Sequence, residues 1–200
     1  MELIFKNQTV QFAELASVEE VIEKIYELLA DQYYYSHLIV DGKEIYEQLE
    51  SFLIESLESI STIELVVKTV REFVDEVLIM AKNYLTDAIP EMTSLADGFY
   101  QYPTSENWGE FSNMLEGMQW LNQTISLIDK AKERPTNWNE CIKLAAEFEM
   151  ELKNLEQAVE NTDSVLIADI IQYELLPVYK ALLIEVNTTI DTEVTRNDLN

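Results

Sequence analysis

The chain has 200 residues, with 38 acidic against 13 basic side chains, so its formal net charge is −25. This charge opposes binding to nucleic acid phosphates and to anionic lipid surfaces, and a hydrophobic content of 48% favours a folded core over disorder. The single cysteine excludes an internal disulfide and a cysteine-rich zinc site. The opening stretch, MELIFKNQTVQF, lacks the basic and long apolar regions of a secretion signal, so we expect a cytoplasmic protein.

Two short strands and a helix are predicted first. Apolar runs within residues 2–12 flank Asn7 and Gln8, which indicates two strands joined by a tight turn. Ser17 and Glu20 form a capping box, and apolar residues then recur at helical spacing. We therefore expect an amphipathic helix over residues 18–30.

A hairpin, a short helix and a last strand follow. Residues 33–40 are rich in aromatic and branched side chains and run into Asp41-Gly42, the strongest hairpin signal in the chain. A partner strand is predicted at residues 44–46, and a short helix over 47–59. Residues 62–68 then return to strand character.

In order and length, these elements of residues 1–69 resemble the β-grasp fold of ubiquitin-like domains. The resemblance rests on this topology and on the hairpin-like stretch VDGKEI. It implies that strand 62–68 lies parallel beside the first strand. The diglycine of ubiquitin-type tags is missing, because the last strand runs into a helix at Thr69, so no role as a conjugated tag is implied.

From Val70 the pattern changes to long helices. An apolar stripe predicts one helix that ends before Pro90, followed by a short helical or irregular segment over residues 91–102. Two further helices are predicted around residues 108–128 and 138–159. Their connection is short, so they should be antiparallel neighbours.

The helix predicted from Asp163 to Val186 is apolar nearly all round, which indicates that other helices cover it on several sides. Its charged residues and Pro177 exclude a transmembrane span, and the proline should kink it. We therefore predict an α+β protein. It comprises a small β-grasp-like sheet with a helix in residues 1–69 and an antiparallel bundle of about four helices in residues 70–200.

Four stretches resemble an uncharacterised bacterial family of acidic helical proteins. They are VDGKEIY, YLTDAIP, LEGMQWL and IADIIQYELLP. This resemblance implies kinship of fold and no catalytic or binding site.

The residue types that usually carry chemistry are sparse. His37 is the sole histidine, in a strand-like run, and Cys141 lies on an apolar helical seam where a buried structural role is usual. The four glycines match no phosphate-binding loop. No catalytic residue, cofactor or metal is therefore predicted, although an all-carboxylate magnesium or calcium site stays formally open.

Two groups of residues are candidate contacts for a partner or ligand. The aromatic stretch FYQYPTSENWGEF, with Phe99, Tyr102 and Trp108, could form a binding hot spot or close one end of the bundle. Polar side chains in apolar helices could form an internal hydrogen-bond network or a polar pocket. These are Glu116, Gln119, Asp169, Tyr173 and Glu174, and the expected neighbours of the last helix are Lys82, Tyr84, Gln119 and Trp120.

The best functional interpretation is a non-enzymatic cytoplasmic interaction or regulatory protein, because both parts resemble protein-binding scaffolds. A protein with a basic surface is the expected partner, and nucleic acid and membrane are not. The first alternative is a small-molecule-binding or hydrolytic protein with a pocket near Glu116, Asp169 and Tyr173. The second is a DNA mimic with an acidic face.

Overall fold

The computed structural model describes residues 1–13, 16–30 and 32–194. The predicted domains also include some positions outside the described residues, namely 14, 15, 31 and 195–200. The chain divides into two compact units, Met1–Phe73 and a second one that begins at Val74. The fold is α+β, since the first unit carries a mixed sheet and the second is helical.

The first unit is built on a sheet of five strands in the order β2-β1-β5-β3-β4. The strands are β1 Glu2–Phe5, β2 Gln8–Gln11, β3 Tyr33–Val40, β4 Lys43–Ile45 and β5 Thr62–Thr69. Strand β1 pairs in parallel with β5, with Leu3 opposite Ile63, and every other pairing is antiparallel. The predicted parallel pairing of the first and last strands is therefore confirmed, and the sheet is β-grasp-like.

The turn of the β3–β4 hairpin lies at Asp41-Gly42, as the sequence predicted. Asp41 has φ 47° and Gly42 has φ 83°, so both central residues adopt the left-handed backbone that a tight hairpin turn needs. The Asp41 carboxylate also accepts the N–H of Thr62 at 2.8 Å, which ties the turn to the start of β5.

Helix α1, Val18–Leu29, covers one face of the sheet, and the short helix α2 is Leu49–Ser56. The predicted capping box is present, because Ser17 Oγ accepts the Glu20 N–H at 3.2 Å and the Glu20 carboxylate accepts the Ser17 N–H at 3.0 Å. The fully buried side chains of this unit's core are Leu3, Val21, Ile25, Leu38, Leu53 and Ile63.

The second unit is an antiparallel helical bundle. Its helices are α3 Val70–Tyr100, which begins in the first unit, α4 Ser105–Asp129, α5 Trp138–Glu160, α6 Ser164–Asp169 and α7 Leu176–Glu193. Short connections bring α4 and α5 together, and the Trp138 indole N–H donates to the Ile125 carbonyl at 3.3 Å. That pair of helices was predicted to be antiparallel neighbours, and the structure confirms it.

The prediction that the first long helix ends before Pro90 is wrong. Helix α3 continues through Pro90 to Tyr100, so residues 91–100 of the segment predicted to be a short helix or irregular belong to this one long helix. Burial explains the difference. Pro90 is exposed, while the buried face of the helix extends past it on both sides, at Leu85, Ala88, Met92, Leu95, Ala96 and Phe99. Packing of this face offsets the backbone hydrogen bond that proline cannot donate.

The last long helix is not the continuous α-helix that the sequence predicted. Between α6 and α7, residues Ile170–Leu175 form a π-helical segment, in which the Leu176 N–H donates to the carbonyl of Ile171. The segment ends just before Pro177, whose ring would clash with the carbonyl four residues earlier in a regular α-helix. Where the sequence predicted a kink at Pro177, the helix therefore has a wider, π-helical turn just before the proline.

Within the described ranges, every helix is too short or too polar to cross a membrane.

Candidate functional site

A tyrosine cluster lies at the π-helical segment of the second unit and consists of Tyr100, Asp169 and Tyr173. The Tyr100 hydroxyl donates to Asp169 Oδ1 at 2.6 Å, which joins the end of α3 to the end of α6. This hydrogen bond, with smaller contributions from desolvation and from the neighbouring Tyr173, raises the pKa of Tyr100. Tyr100 therefore stays protonated and keeps donating at neutral and moderately alkaline pH.

The tyrosine cluster presents aromatic surface beside buried positions of the same helix. Tyr173 is 64% exposed, although Ile170, Ile171 and Leu175 beside it are buried. Tyr173 lies two residues after Ile171 and two residues before Leu175, so on a helix it faces away from both buried side chains.

The structure overturns the predicted burial of two candidates. Tyr173 and Glu174 are exposed rather than part of an internal network, and Asp169 is half-buried. Of the expected neighbours of the last helix, Tyr84 does contact it, at Tyr179, whereas the hydrogen-bond donor to Asp169 is Tyr100. Glu116 and Gln119, the polar candidates on α4, are exposed as well.

The aromatic stretch over residues 99–111 divides into a packed part and an exposed part. Phe99 is fully buried and contacts Trp108 and Phe111 edge-on or tilted, with ring centroids 5.0 and 5.5 Å away. These three rings pack together between the end of α3 and the first turns of α4, and Trp108 remains 36% exposed. Tyr102, in the connection between α3 and α4, is 97% exposed.

A cleft between α3 and α4 is the second feature of this unit, with a volume of about 480 Å³. We call it the α3–α4 cleft. Its apolar walls include Met92, Leu95 and Met114, which are nearly fully buried, while Glu91 and Glu110 are exposed. The lining residues are Tyr84, Ala88, Glu91, Met92, Ser94, Leu95, Glu110, Asn113 and Met114.

Tyr84 joins the cleft to the rest of the bundle. Its hydroxyl lies 3.3 Å from the Tyr179 hydroxyl of α7, and its ring meets Trp120 of α4 edge-on at a centroid distance of 5.4 Å. It lies so close to Gly117 that a Cβ there would overlap the Tyr84 hydroxyl. Burial raises the pKa of Tyr84, and the nearby Glu91 adds to the shift.

Cys141 and His37 were considered for nucleophilic or acid–base chemistry, and the contacts of both side chains indicate structural roles. Cys141 is fully buried, and burial with the nearby Glu185 raises the pKa of its thiol to about 12. His37, in the first unit, stacks on Tyr46 at a centroid distance of 4.6 Å, and its Nδ1 lies 3.1 Å from Ser36 Oγ. Across the described residues, no group of three or more His, Cys, Asp or Glu is placed to hold a metal ion.

Sequence patterns missed several of these side chains as site residues. Glu91, Glu110 and Met114 looked like ordinary members of amphipathic helices, and Tyr100 was hidden among other aromatics. One signal was present: Gly117 lies in a helix interior, where glycine is costly unless another group needs its space. That group is Tyr84.

Comparison with known proteins gives one match. No curated protein and no solved structure matches the chain. A family model described as a domain of unknown function, DUF8042, matches residues 76–185, which is more than half of the 200 residues. The matched range contains both the tyrosine cluster and the α3–α4 cleft. The chain belongs to the DUF8042 family.

Proposed function

We propose that this protein is a non-enzymatic interaction or regulatory protein of the cytoplasm, and that its helical unit binds a basic partner protein through the tyrosine cluster. The observation that carries the proposal is Tyr173. It is 64% exposed beside buried neighbours, at a π-helical turn that an inter-helix hydrogen bond from Tyr100 to Asp169 braces. Short π segments are frequent at functional sites, and exposed tyrosines dominate many protein interfaces.

Three further observations support a protein partner. Tyr102 lies two residues beyond Tyr100 in the chain and is 97% exposed. Val165 and Leu166, one turn before Asp169 on the same helix, are also largely exposed for apolar side chains, at 52% and 41%. Their sequence spacing places them near the tyrosine cluster. The net charge of −25 favours a partner with basic side chains at the rim of such an interface.

The non-enzymatic part of the proposal is supported by the surroundings of the two classical chemical residues. The thiol of Cys141, with a pKa raised to about 12, is a poor nucleophile at neutral pH. His37 is occupied by stacking on Tyr46 and by Ser36. The β-grasp-like sheet of the first unit also favours binding, since ubiquitin-like domains serve as protein-binding scaffolds.

Affinity capture from a cell extract with quantitative mass spectrometry tests the proposal. The full chain is compared with Tyr173→Ala, Tyr102→Ala and a control, Met150→Ala, which removes a side chain 57% exposed on α5. We expect a protein with a basic surface to be retained by the full chain and by the control. Its capture should fall about tenfold or more with Tyr173→Ala, since interface hot spots contribute 2 kcal/mol or more.

Equal capture by all four proteins would overturn the proposal, as would the recovery of nothing above background. Two other functions give different results. A DNA mimic would capture nucleic-acid-binding proteins, and duplex DNA would compete with it for them. A hydrolytic protein with its pocket near Glu116, Asp169 and Tyr173 would turn over a small-molecule substrate without any partner protein, and Tyr173→Ala would slow that turnover.

A further inference from the structure

We infer that the α3–α4 cleft is a binding site for a small organic cation, an alkylammonium whose apolar chain lies in the cleft and whose charged head lies at its acidic edge. This goes beyond the proposed function, because the cleft and the tyrosine cluster share no lining residue. The ligand would be a free small molecule. A volume of about 480 Å³ is within the range of small-molecule pockets and exceeds what one side chain of a partner would fill.

The apolar part of the ligand is specified by the cleft walls. Ala88, Met92, Leu95 and Met114 line it, and all four side chains are buried. Methionine side chains are flexible and polarisable, so they adapt to aliphatic groups of varied shape. The accessible atoms of these side chains give a hydrocarbon chain an apolar surface to contact.

The charged part of the ligand is specified by the two glutamates. Glu91 of α3 and Glu110 of α4 both line the cleft, and among the described residues that line it there is no lysine or arginine. Neither carboxylate belongs to an ion pair elsewhere in the described ranges. Two carboxylates beside an apolar wall attract a cation and repel an anion, so a fatty acid or a phosphate would be excluded.

The polar side chains at the cleft suit an ammonium head. Such a head has N–H donors and no acceptor, so oxygen atoms must satisfy it. Glu91 and Glu110 supply carboxylate oxygens, and Ser94 and Asn113 add a hydroxyl and an amide oxygen on the same lining. Glu110 already accepts one hydrogen bond, from Asn107 Nδ2 at 3.3 Å, which helps to hold its carboxylate in place.

The experiment uses n-hexylamine as the probe and the methionine methyl groups as local reporters. The full chain is labelled with ¹³C at its six methionine methyls, and the Met92 and Met114 signals are assigned from single leucine variants. We expect n-hexylamine to shift the Met92 and Met114 signals saturably, with a dissociation constant of about 1 mM or tighter. The signal of Met150, exposed on α5, should not move.

Matched variants test which carboxylates bind the ammonium head of the ligand. Glu91→Gln and Glu110→Gln should each weaken binding by about tenfold or more, because each removes a charged hydrogen-bond partner. Glu147→Gln removes an equal charge from an exposed position on α5 and should leave binding unchanged. Ser94→Phe adds bulk at an exposed lining residue without removing a core side chain, so it should obstruct binding while the protein stays folded.

Three results would overturn the inference. The first is the absence of any shift at Met92 and Met114 in the folded protein. The second is equal binding of n-hexanol or hexanoate, or an equal loss with Glu147→Gln, which would show that the two lining carboxylates do not select the ligand. The third is tighter binding of an N-acetyl-lysine amide than of n-hexylamine, which would assign the cleft to a lysine of a partner protein.

Discussion

Tyr84 and Gly117 form a close contact in the helical unit that a single substitution can test. The tyrosine hydroxyl occupies the space of the missing Cβ at Gly117, and this position lets it reach the hydroxyl of Tyr179 on α7. Tyr179 is itself fully buried. A buried hydroxyl without a partner is costly, so this glycine indirectly satisfies a polar group on a third helix.

The two glycines of α4 should therefore respond to alanine in opposite ways. Gly117→Ala displaces Tyr84 and should lower the free energy of unfolding by about 1–3 kcal/mol, the usual range for overpacking. Gly109→Ala meets nothing within 4 Å and should raise it by about 0.5–1 kcal/mol through helix propensity. Denaturant titration followed by tryptophan fluorescence measures both changes, since all three tryptophans lie in the helical unit. Equal effects of the two substitutions would contradict the assigned role of Gly117.

At the scale of single elements, two prolines lie where helices tolerate them poorly, and the chain accommodates each differently. Pro90 lies inside the continuous helix α3, where the flanking buried face holds the helix together. Pro177 follows a π-helical segment in which hydrogen bonds reach one residue further back. The first arrangement leaves a backbone defect on an exposed face, and the second widens the helix over one turn.

Because the defect at Pro90 is exposed and compensated only by packing, its removal should stabilise the helical unit. Pro90→Ala restores a backbone donor and should raise the free energy of unfolding by roughly 1–3 kcal/mol. Pro135, by contrast, is buried in the connection before α5, and Pro135→Ala should lower stability by about 1 kcal/mol. Thermal unfolding followed by circular dichroism compares the two. A lower melting temperature for Pro90→Ala would show that the proline contributes packing.

Sequence patterns predicted the elements well and the exposure of their polar residues poorly, and both outcomes have the same cause. Apolar spacing of 3.6 residues identified the long helices, and Asp41-Gly42 identified the hairpin, because those signals are local. The exposure of Tyr173 and Glu174 was missed because the stretch from Asp163 to Val186 is apolar nearly all round, so its composition does not reveal which face is exposed. The α3–α4 cleft depends on where two helices separate, and no local pattern encodes that distance.

At the scale of the whole molecule, the dominant property is charge. An excess of 25 negative charges on a chain of this length makes the folded surface repel itself. Surface ion pairs such as Lys143 with Glu140 offset little of this, because exposed pairs contribute at most about 1 kcal/mol. Long-range repulsion therefore opposes folding more than local pairs favour it.

Added salt should stabilise the protein, because it screens the repulsion between carboxylates over distances longer than the Debye length. We expect the melting temperature to rise by a few degrees between low and moderate sodium chloride. Potassium chloride at equal ionic strength should have the same effect, since screening does not depend on which monovalent cation is present. A flat or falling melting temperature would contradict this account, and so would measurable binding to duplex DNA.

The parallel pairing of β1 with β5 also has a consequence for synthesis on the ribosome. Strand β5 lies at the centre of the sheet, between β1 and β3, yet it is the last of the five strands to be translated. The earlier strands can form only two-stranded hairpins, which are marginally stable alone. The first unit thus cannot complete its sheet until Thr69 has left the exit tunnel. Until then, one edge of the aromatic strand β3 has no partner strand, because that edge pairs with β5 in the folded protein.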